Sequence, residues 1–371
     1  MSAKYLHIVS FNIPYPADYG GVIDIFYKIK ALKNAGIQII LHCYAYGRQP
    51  SKELEDLCFR VHYYHRTSGI KYFLTSDPYI VATRNANSMP NNILNDSYPV
   101  LFEGLHSTAM LESCKRANKK SMVRAHNIEH IYYQFLSRAE RNLFRKLFLK
   151  TEARKLKRYE GKLGYADRIL AIARHEASYF ERKYGNALFV SAFHKFQDVS
   201  SLEGSGKYIL YHGNLNVPEN SEMFLKLVRG SLSKVRIPII VAGKNPSNRF
   251  LKKLAPHSHI RVVPDPTESE LDKLIQEAHI NLLYTAQSTG IKLKLLHALF
   301  AGRHCLVNPP MVEGTGLGDL CTISGEGREV EQSLDTLMNM PFLNAQIAER
   351  KKALKEFSNR ANAEKILNII G

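Results

Sequence analysis

The chain has 371 residues, of which 45% are hydrophobic and 23% are charged. This length exceeds the usual size of one domain, and the composition is that of a globular protein rather than a disordered or fibrous one. Lysine and arginine number 51 against 34 acidic residues, giving a formal charge of +17. That charge favours a polyanionic partner. The partner could be nucleic acid, an anionic membrane surface or a phosphorylated substrate, and charge alone does not choose among them.

The sequence predicts neither a signal peptide, nor a transmembrane helix, nor a framework of disulfides or metal ligands. The chain runs directly into strand-like residues 5–12 without the pattern of a signal peptide, and no apolar stretch approaches the roughly 20 residues that span a bilayer. Five scattered cysteines without CxxC spacing predict reduced thiols, and the histidines are equally dispersed. We therefore expect a cytoplasmic protein with no metal site and no bound cofactor.

The first half of the chain alternates strand-like and helical patterns, which predicts a parallel sheet with right-handed crossovers. Its strands are expected at 5–12, 37–44, 99–103, 121–124, 168–173 and 187–193. A polar segment of small residues at 197–206 has the composition of a linker. After it, a second series of strands is expected at 208–212, 237–242, 260–263, 280–284 and 305–308.

These two series predict an α/β fold of two Rossmann-like, doubly wound domains that face each other across a cleft. The domains are expected at 1–196 and 207–340. A long helical pattern at 345–371 is expected to cross back over the first domain. Ligands of such folds bind at the carboxyl ends of the strands, so the cleft is the predicted site.

Two glycines, Gly20 and Gly21, separate the first strand from a helix predicted at 22–34. Paired glycines before a helix let backbone N–H groups approach an anion, which the helix dipole also favours. An ordinary turn between strand and helix explains the pair equally well.

Polar residues follow the strand at 121–124. His126 comes just past the carboxyl end of this strand, where its titration range suits contacts with sugar hydroxyls or phosphate. A histidine that is hydrogen-bonded into its loop is the alternative. His106 follows the preceding strand and either lines the same cleft or packs between strand ends.

Gly290 ends a loop, and the helix after it carries Lys292 and Lys294 in its first turn. Lysines there oppose the helix dipole, so the placement is unfavourable unless an anion binds beside them. A nucleotide diphosphate would be such an anion. A solvated charged face is the alternative.

Across both halves the chain resembles the retaining glycosyltransferases of family 4, which have the two-domain GT-B architecture. The resemblance is carried by Asp18-Tyr-Gly-Gly21, Arg124-Ala-His-Asn-Ile-Glu129, Tyr211-His-Gly213, Ala242-Gly-Lys244 and the stretch from Gly290 to Gly302. It implies a hexosyltransferase of polysaccharide biosynthesis. The C-terminal domain would bind a nucleotide-diphosphate sugar, and the N-terminal domain would hold a glycan or lipid-linked acceptor.

The resemblance and the positions described above together give the candidate site residues. The catalytic candidates are Arg124, His126 and Asn127, and the cleft candidates are His106 and Asn214. The donor-binding candidates are Gly20, Gly21, Lys244, Gly290, Lys292, Lys294, His297 and Glu313.

The chain departs from the family pattern at Thr289 and His297, where the family has two glutamates. A neutral histidine offers one acceptor nitrogen to a ribose, so Glu313 in the following loop is an alternative ligand. Because of this departure, two other functions stay open: a catalytically degenerate nucleotide- or glycan-binding protein, and a nucleotide-sugar epimerase on the same fold.

A basic amphipathic helix is predicted at 138–162, with ten lysines and arginines against three glutamates. Its apolar stripe consists of Leu149, Ala153, Leu156, Tyr159 and Leu163. Such a helix can lie on an anionic surface, which predicts peripheral attachment to the inner membrane face. The alternative is that the stripe packs on the first domain. Nucleic acid is not an expected partner, because zinc-finger spacing, an RNP-like strand and a basic tail are all missing from the sequence.

Overall fold

The computed structural model describes residues 4–140, 142–286 and 292–371. The chain divides into two compact units, the first formed by Met1–Lys195 with Glu356–Gly371 and the second by Phe196–Lys355. None of the helices in the described ranges is both long and apolar enough to span a bilayer.

The first unit is built on a parallel sheet. Its described strands are β1 (Lys4–Ser10), β2 (Ile37–Ala45), β3 (Arg60–His65), β4 (Val100–Glu103), β5 (Ser121–Ala125), β6 (Arg168–Ala171) and β7 (Ala187–Phe189). They lie in the order β3-β2-β1-β4-β5-β6-β7. Ile8 in β1 lies opposite Leu41 of β2 and Leu101 of β4, and all three are completely buried.

Helices connect these strands. They are α1 (Gly20–Asn34), α2 (Lys52–Leu57), α3 (Tyr79–Ala82), α4 (Met89–Leu94), α5 (Leu111–Arg116), α6 (Glu129–Ala139), α7 (Leu143–Tyr159) and α8 (Arg174–Tyr184). Short 3-10 turns occur at Ile70–Phe73, Leu105–Met110 and Glu160–Tyr165. Helix α1 buries Ile25, Ile29 and Leu32 at helical spacing in the core of this unit.

The second unit repeats this arrangement. Its described strands are β8 (Ile209–His212), β9 (Ile239–Gly243), β10 (Ile260–Pro264), β11 (Ile280–Leu283), β12 (His304–Val307) and β13 (Thr322–Ile323). They form a parallel sheet in the order β10-β9-β8-β11-β12-β13. The order along the chain reverses beside β8, as it does beside β1 in the first unit, and such reversals create the crevice where ligands of doubly wound sheets bind.

The helices of the second unit are α9 (Pro218–Arg229), α10 (Asn248–Leu254), α11 (Glu268–Glu277), α12 (Leu293–Ala301), α13 (Pro309–Val312), α14 (Arg328–Met338) and α15 (Asn344–Ala353). Helix α11 begins with a capping box, in which Thr267 accepts from the Glu270 N–H at 3.2 Å and Glu270 accepts from the Thr267 N–H at 2.8 Å. A final helix, α16 (Asn359–Ile370), belongs to the first unit.

The structure corrects several sequence-based elements. Strands β3 and β13 were not predicted. The strand predicted at 187–193 ends at Phe189. After it, the backbone carbonyls of Val190 and Ser191 accept hydrogen bonds from the Arg124 side chain instead of from a neighbouring strand. The segment 197–206, predicted as a linker, packs within the second unit, where Ser200 N–H donates to the Phe300 carbonyl at 2.7 Å.

Two predicted long helices are each broken. The basic helix predicted at 138–162 is divided between α6 and α7, and Asn142 caps α7 by accepting from the Arg145 N–H at 3.1 Å. The helix predicted at 345–371 is divided into α15, a 3-10 turn at Leu354–Phe357, and α16. Ser358 caps α16 by accepting from the Ala361 N–H at 3.2 Å.

Candidate functional site

A network of charged side chains is buried at the carboxyl edge of the first sheet. Asp24 and Lys28 project from α1, Glu103 ends β4 and Arg124 lies on β5, and all four are completely buried. The Lys28 ammonium lies 2.9 Å from Asp24 Oδ2 and 2.7 Å from Glu103 Oε1. The Arg124 guanidinium donates to both oxygens of Asp24, at 2.9 and 3.1 Å. Two carboxylates are thus matched by two cations.

This network joins α1 to the strand ends. Arg124 also donates to the carbonyls of Val190 and Ser191, and Asp24 accepts from the Phe193 N–H at 2.8 Å. Burial by itself raises the pKa of Asp24, but Arg124 and Lys28 hold that pKa below its ordinary value. Arg124 is completely buried, and its hydrogen bonds go to Asp24 and to these two carbonyls. Its predicted catalytic role stays a prediction.

His126 extends the network toward the surface. Its Nε2 lies 3.1 Å from Glu103 Oε2, and 11% of its side chain is exposed. Burial tends to raise the pKa of Glu103, but Lys28 and His126 lower it below its ordinary value. The Glu103 carboxylate thus accepts a hydrogen bond from His126 Nε2. The result is an imidazole of fixed orientation at the edge where ligands bind.

The same residues include the donor set of a metal site. Asp24, Glu103 and His126 each offer one atom, and these atoms lie within 4.8 Å of one another. However, the ammonium of Lys28 already bonds both carboxylates. A divalent cation would have to displace it, so this geometry carries no metal assignment.

The glycine pair begins α1. The N-cap residue Tyr19 makes no side-chain capping bond, and the first turn contains no acidic residue. This end of α1 therefore presents backbone donors and a positive dipole. A Cβ on Gly21 would lie 2.7 Å from the ring of Phe11, so glycine allows this end of the helix to approach Phe11 closely. The Phe11 ring in turn lies edge-on to His126, with the ring centroids 5.7 Å apart.

Asn127 hydrogen-bonds a buried carboxyl group. Glu129, the first residue of α6, is 4% exposed, and burial raises its pKa to about 7 despite the hydrogen bond from Asn127. Glu129 belongs to the segment from Arg124 to Glu129 that carries the family resemblance, but the sequence does not predict its burial. His106 lies nearby in the Leu105–Met110 turn, with its ring centroid 5.3 Å from that of Phe11.

In the second unit, Lys294 lies in the first turn of α12. Its ammonium lies 3.3 Å from Asn220 Oδ1 and 3.2 Å from the Tyr284 carbonyl oxygen. The pKa of Lys294 is lowered to about 8, mainly by burial. Glu219 opposes this shift, and Lys292 adds to it. Lys294 thus places a partly desolvated cation at the carboxyl end of β11. Lys292 is half-buried at the N-cap of α12.

Further candidates surround Lys294. Asn214 is exposed after β8, and its carbonyl oxygen accepts from Asn220 Nδ2 at 3.0 Å, which links it to Lys294 through Asn220. Lys244 is exposed after β9, and its carbonyl oxygen accepts from the Leu215 N–H at 3.0 Å. A Cβ on Gly243 would lie 1.8 Å from the Gly213 carbonyl oxygen, so these strand ends approach too closely for any side chain there.

His297 is hydrogen-bonded to a carboxylate. Its Nε2 is 2.8 Å from Asp272 Oδ1 on α11, and its ring centroid lies 4.6 Å from that of Phe196. One ring nitrogen is therefore engaged by a carboxylate within the unit. Glu313 is exposed at the C-cap of α13. Gly290, and Thr289 before it, lie outside the described residues.

The sequence reasoning missed Asp24, Lys28 and Glu103. Asp24 and Lys28 are spaced i and i+4 on a helix whose other buried positions are mainly apolar, and Glu103 ends an apolar strand. Opposite charges at buried positions need partners, so this pattern was a usable signal for the network.

The chain was compared with known proteins. No protein-family model matches it. An uncharacterized 44.6 kDa protein in the cps region of Klebsiella pneumoniae is 25% identical over 349 residues, which cover 89% of this chain and 88% of that protein.

Solved structures match along the whole chain. S. aureus TarM in complex with UDP and alpha-GlcNAc-glycerol is 9% identical with a TM-score of 0.67, covering 99% of this chain and 100% of that one. A glycosyltransferase from Rickettsia africae ESF-5 is 14% identical with a TM-score of 0.66, covering 99% and 98% of the two chains. Anabaena HepE in complex with UDP and glucose is 10% identical with a TM-score of 0.61, with the same coverage. The chain has the α/β GT-B fold of these structures.

Proposed function

We propose that this protein is a glycosyltransferase that moves a sugar from a nucleoside-diphosphate sugar to a glycan or lipid-linked acceptor. The observation that carries the proposal is Lys294, a partly desolvated cation in the first turn of α12. A positive side chain beside the positive end of the helix dipole is unfavourable by itself. It becomes favourable when a diphosphate binds beside it. Structural neighbours that bind UDP together with sugars support the assignment.

In this proposal the second unit binds the donor and the first unit binds the acceptor. Lys294, Lys292 and Lys244 stabilise the negative charge that develops on the departing diphosphate, a task that needs no metal ion. From the family 4 resemblance we also propose that Gly20 and Gly21, at the N-terminal end of α1, bind the donor through backbone N–H groups. His126 lies near the transferred sugar, oriented by Glu103. We propose retention of the anomeric configuration from the family 4 resemblance, together with a role in polysaccharide biosynthesis.

A specific observation favours one competing function. The hydrogen bond between His297 and Asp272 occupies a ring nitrogen at the position where family 4 places a ribose-binding glutamate. A chain that binds a nucleotide or glycan without transferring a sugar would tolerate this change. Transfer therefore requires that Glu313 or a backbone group take over the contact with the ribose.

A panel of nucleotide sugars tests the proposal. Calorimetry on the full chain should identify a donor, and Lys294→Ala should bind it about tenfold or more weakly because a charge-assisted hydrogen bond is lost. Lys252→Ala on α10 removes an exposed lysine of the same unit and should leave affinity unchanged. NMR of the product then reports its anomeric configuration. If no nucleotide sugar binds, transferase function is rejected, and binding without turnover over an acceptor panel favours the degenerate alternative.

We further propose that the protein is cytoplasmic and attaches peripherally to an anionic membrane. On α7, Leu143, Phe144 and Leu147 are 78%, 87% and 65% exposed. Ile70 and Leu74, at the neighbouring 3-10 turn, are 79% and 85% exposed. We call these five residues the α7 patch. An isolated surface leucine needs no explanation, but a group of large apolar side chains marks an interaction surface.

The α7 patch is held together by packing beneath it. Phe73 in the 3-10 turn stacks on Tyr79 with centroids 4.5 Å apart and meets Phe148 of α7 edge-on at 5.2 Å. The Lys155 ammonium donates to the Phe73 carbonyl at 2.8 Å, which fixes the turn against α7. Basic residues alternate with the patch at 145, 146 and 150 of the same helix. Apolar groups among cations fit a bilayer rich in anionic lipid.

A further inference from the structure

Two arginines at the carboxyl edge of the first sheet have no carboxylate partner among residues 4–140, 142–286 and 292–371. Arg84 follows α3 and is 6% exposed, and Arg66 comes directly after β3. In the described parts of the chain, the hydrogen bonds of Arg84 go to the carbonyls of Phe11 at 2.8 Å and Ile80 at 2.6 Å. Arg66 Nε donates to Thr83 Oγ1 at 3.2 Å. Neither guanidinium pairs with an acid among the described residues, although buried charges in proteins are normally paired.

The two guanidinium groups are close to each other and are held in place. Burial, and then Arg66, lower the pKa of Arg84 to about 10. Thr83, whose hydroxyl accepts a hydrogen bond from Arg66, is the residue directly before Arg84 in the chain. The Arg66 guanidinium also lies over the Tyr46 ring, 4.2 Å from its centroid. Stacking of this kind orients the planar group while its N–H donors stay directed outward.

A third polar group adjoins them. The Nδ1 atom of His106 is buried and has no hydrogen-bond partner in the described structure. Burial lowers the pKa of His106 well below its ordinary value, and Arg84 and Arg66 lower it further, so this imidazole is neutral and adds no charge. A buried nitrogen without a partner costs free energy unless a ligand satisfies it.

We propose that Arg66 and Arg84 form a binding site for a phosphate group of the sugar acceptor. Two uncompensated positive charges match a phosphate monoester, which carries about −1.5 to −2 charge at neutral pH, whereas a carboxylate would balance only one of them. Arginine forks also fit the oxygen geometry of phosphate. Assigning this phosphate to the acceptor rests on the proposed function, but the phosphate site itself does not.

The site occupies the edge where ligands of doubly wound sheets bind. Arg84 is bonded to the residue after β1, Arg66 follows β3 and His106 follows β4. Phe11 connects it to His126, because its ring contacts both histidines and its carbonyl oxygen accepts from Arg84. A phosphate at the arginines would therefore place the rest of an acceptor beside His126.

Binding of inorganic phosphate to the full chain tests the proposal. We expect Arg66→Gln and Arg84→Gln each to weaken phosphate binding by about tenfold or more, since each removes charge-assisted hydrogen bonds. The matched control is Arg168→Gln, an exposed arginine at the opposite, amino edge of the same sheet, which should bind as the unaltered chain does. Acetate in place of phosphate should bind more weakly.

The same titration with saturating UDP separates the two sources of phosphate. If UDP leaves phosphate binding unchanged, the site serves the acceptor, and displacement by UDP would assign the arginines to the donor and overturn the proposal. Equal affinity in all variants, or no binding to the unaltered chain, would also overturn it. If Arg84→Gln does not fold, Arg66→Gln decides alone. If the chain binds phosphate at these arginines but binds no nucleotide sugar, the transferase function is rejected and the phosphate site is retained.

Discussion

At the scale of single residues, Lys294 ties donor affinity to pH. Its pKa is about 8 because it is buried, so it carries its proton at pH 7 and has largely lost it at pH 9. A nucleotide sugar binds the charged form, because the diphosphate stabilises the ammonium. Above the pKa of the free protein, binding must therefore take up a proton. We expect the donor dissociation constant to rise about tenfold between pH 7 and pH 9.

Lys294→Arg is the control for this pH dependence. Arginine stays protonated throughout the range, so calorimetry on this variant should give a nearly flat profile whatever its absolute affinity. A slope shared by both proteins would assign the titration to another group.

Glu129 ties the stability of the first unit to pH. Its folded pKa of about 7 lies above its ordinary value of 4.5, so folding favours the protonated form. Its contribution is fully present below pH 4.5 and is lost as the pH rises through 7. Glu129→Gln keeps the shape without the charge and should be more stable than the unaltered chain at pH 8, by roughly 3 kcal/mol. Most of this difference should vanish at pH 5.

Urea denaturation at both pH values measures the effect of Glu129→Gln. The exposed Glu53→Gln in α2 serves as the control and should show no such change between the two pH values. A stability difference independent of pH would show that Glu129 is ionised in the fold.

The sequence located isolated polar residues better than it located their partners. His126 and Lys294 are predicted from the sequence because each stands at a position where parallel sheets bind ligands. Glu103, which orients His126, and Asn220, which contacts Lys294, are not. These contacts join residues far apart in the chain, and periodicity along one element carries no information about them.

At the scale of elements, α7 has two apolar faces with different surroundings. Ala153, Leu156, Tyr159 and Leu163, in α7 and the turn after it, are buried, as the alternative of a stripe packed on the first domain predicted. The exposed side chains lie earlier in the helix, at the α7 patch. Helical spacing predicted an amphipathic segment correctly, but it cannot tell which apolar residues face the core.

The α7 patch predicts how membrane binding depends on sequence. We expect Phe144→Glu and Leu147→Glu each to weaken binding to anionic vesicles by about tenfold or more, because each removes roughly 1.5 to 3 kcal/mol of apolar burial and adds a repelled charge. Sedimentation with vesicles of anionic and of neutral lipid measures this.

Leu188→Glu is the matched control for the membrane prediction. Leu188 is a 36% exposed leucine of the same unit, on β7, outside the patch. Circular dichroism confirms that each variant is folded. Equal sedimentation of all variants, or no preference for anionic lipid, would show that the α7 patch does not bind membranes.

At the scale of the whole molecule, the chain leaves the first unit at Lys195 and returns to it at Glu356. The sequence assigned the whole tail 345–371 to one helix on the first domain. The break arises at Ser358, whose side chain caps α16, while Arg350 of α15 donates to the Gly302 carbonyl at 2.6 Å in the second unit. Helix-forming residues continue through the break without a proline or glycine, so the pattern alone could not divide the tail.

The returning segment completes the core of the first unit. Ile366 and Ala363 of α16 are buried in the same hydrophobic core as Ile25 and Ile29 of α1. Asn362 Oδ1 accepts from the Ser191 N–H at 2.9 Å, and Asn359 Oδ1 accepts from the His194 N–H at 3.0 Å. These bonds satisfy the backbone N–H groups of Ser191 and His194, which lie beyond the end of β7.

Removing residues 356–371 should therefore destabilise the first unit selectively. Loss of the buried Ile366 costs about 2 to 5 kcal/mol, and each orphaned N–H adds about 1 to 3 kcal/mol, which together approach the roughly 5 to 15 kcal/mol that stabilise a domain. Hydrogen exchange followed by mass spectrometry should show protection lost in β1, β2 and α1 but kept in β8 to β12. In the intact chain, Ile366→Ala should lower protection of the first unit in the same direction, while Arg360→Ala, on the exposed face of α16, should leave it unchanged. Protection lost equally from both sheets would mean that the two units fold as one cooperative body, in which case α16 stabilises the whole chain rather than the unit that it completes.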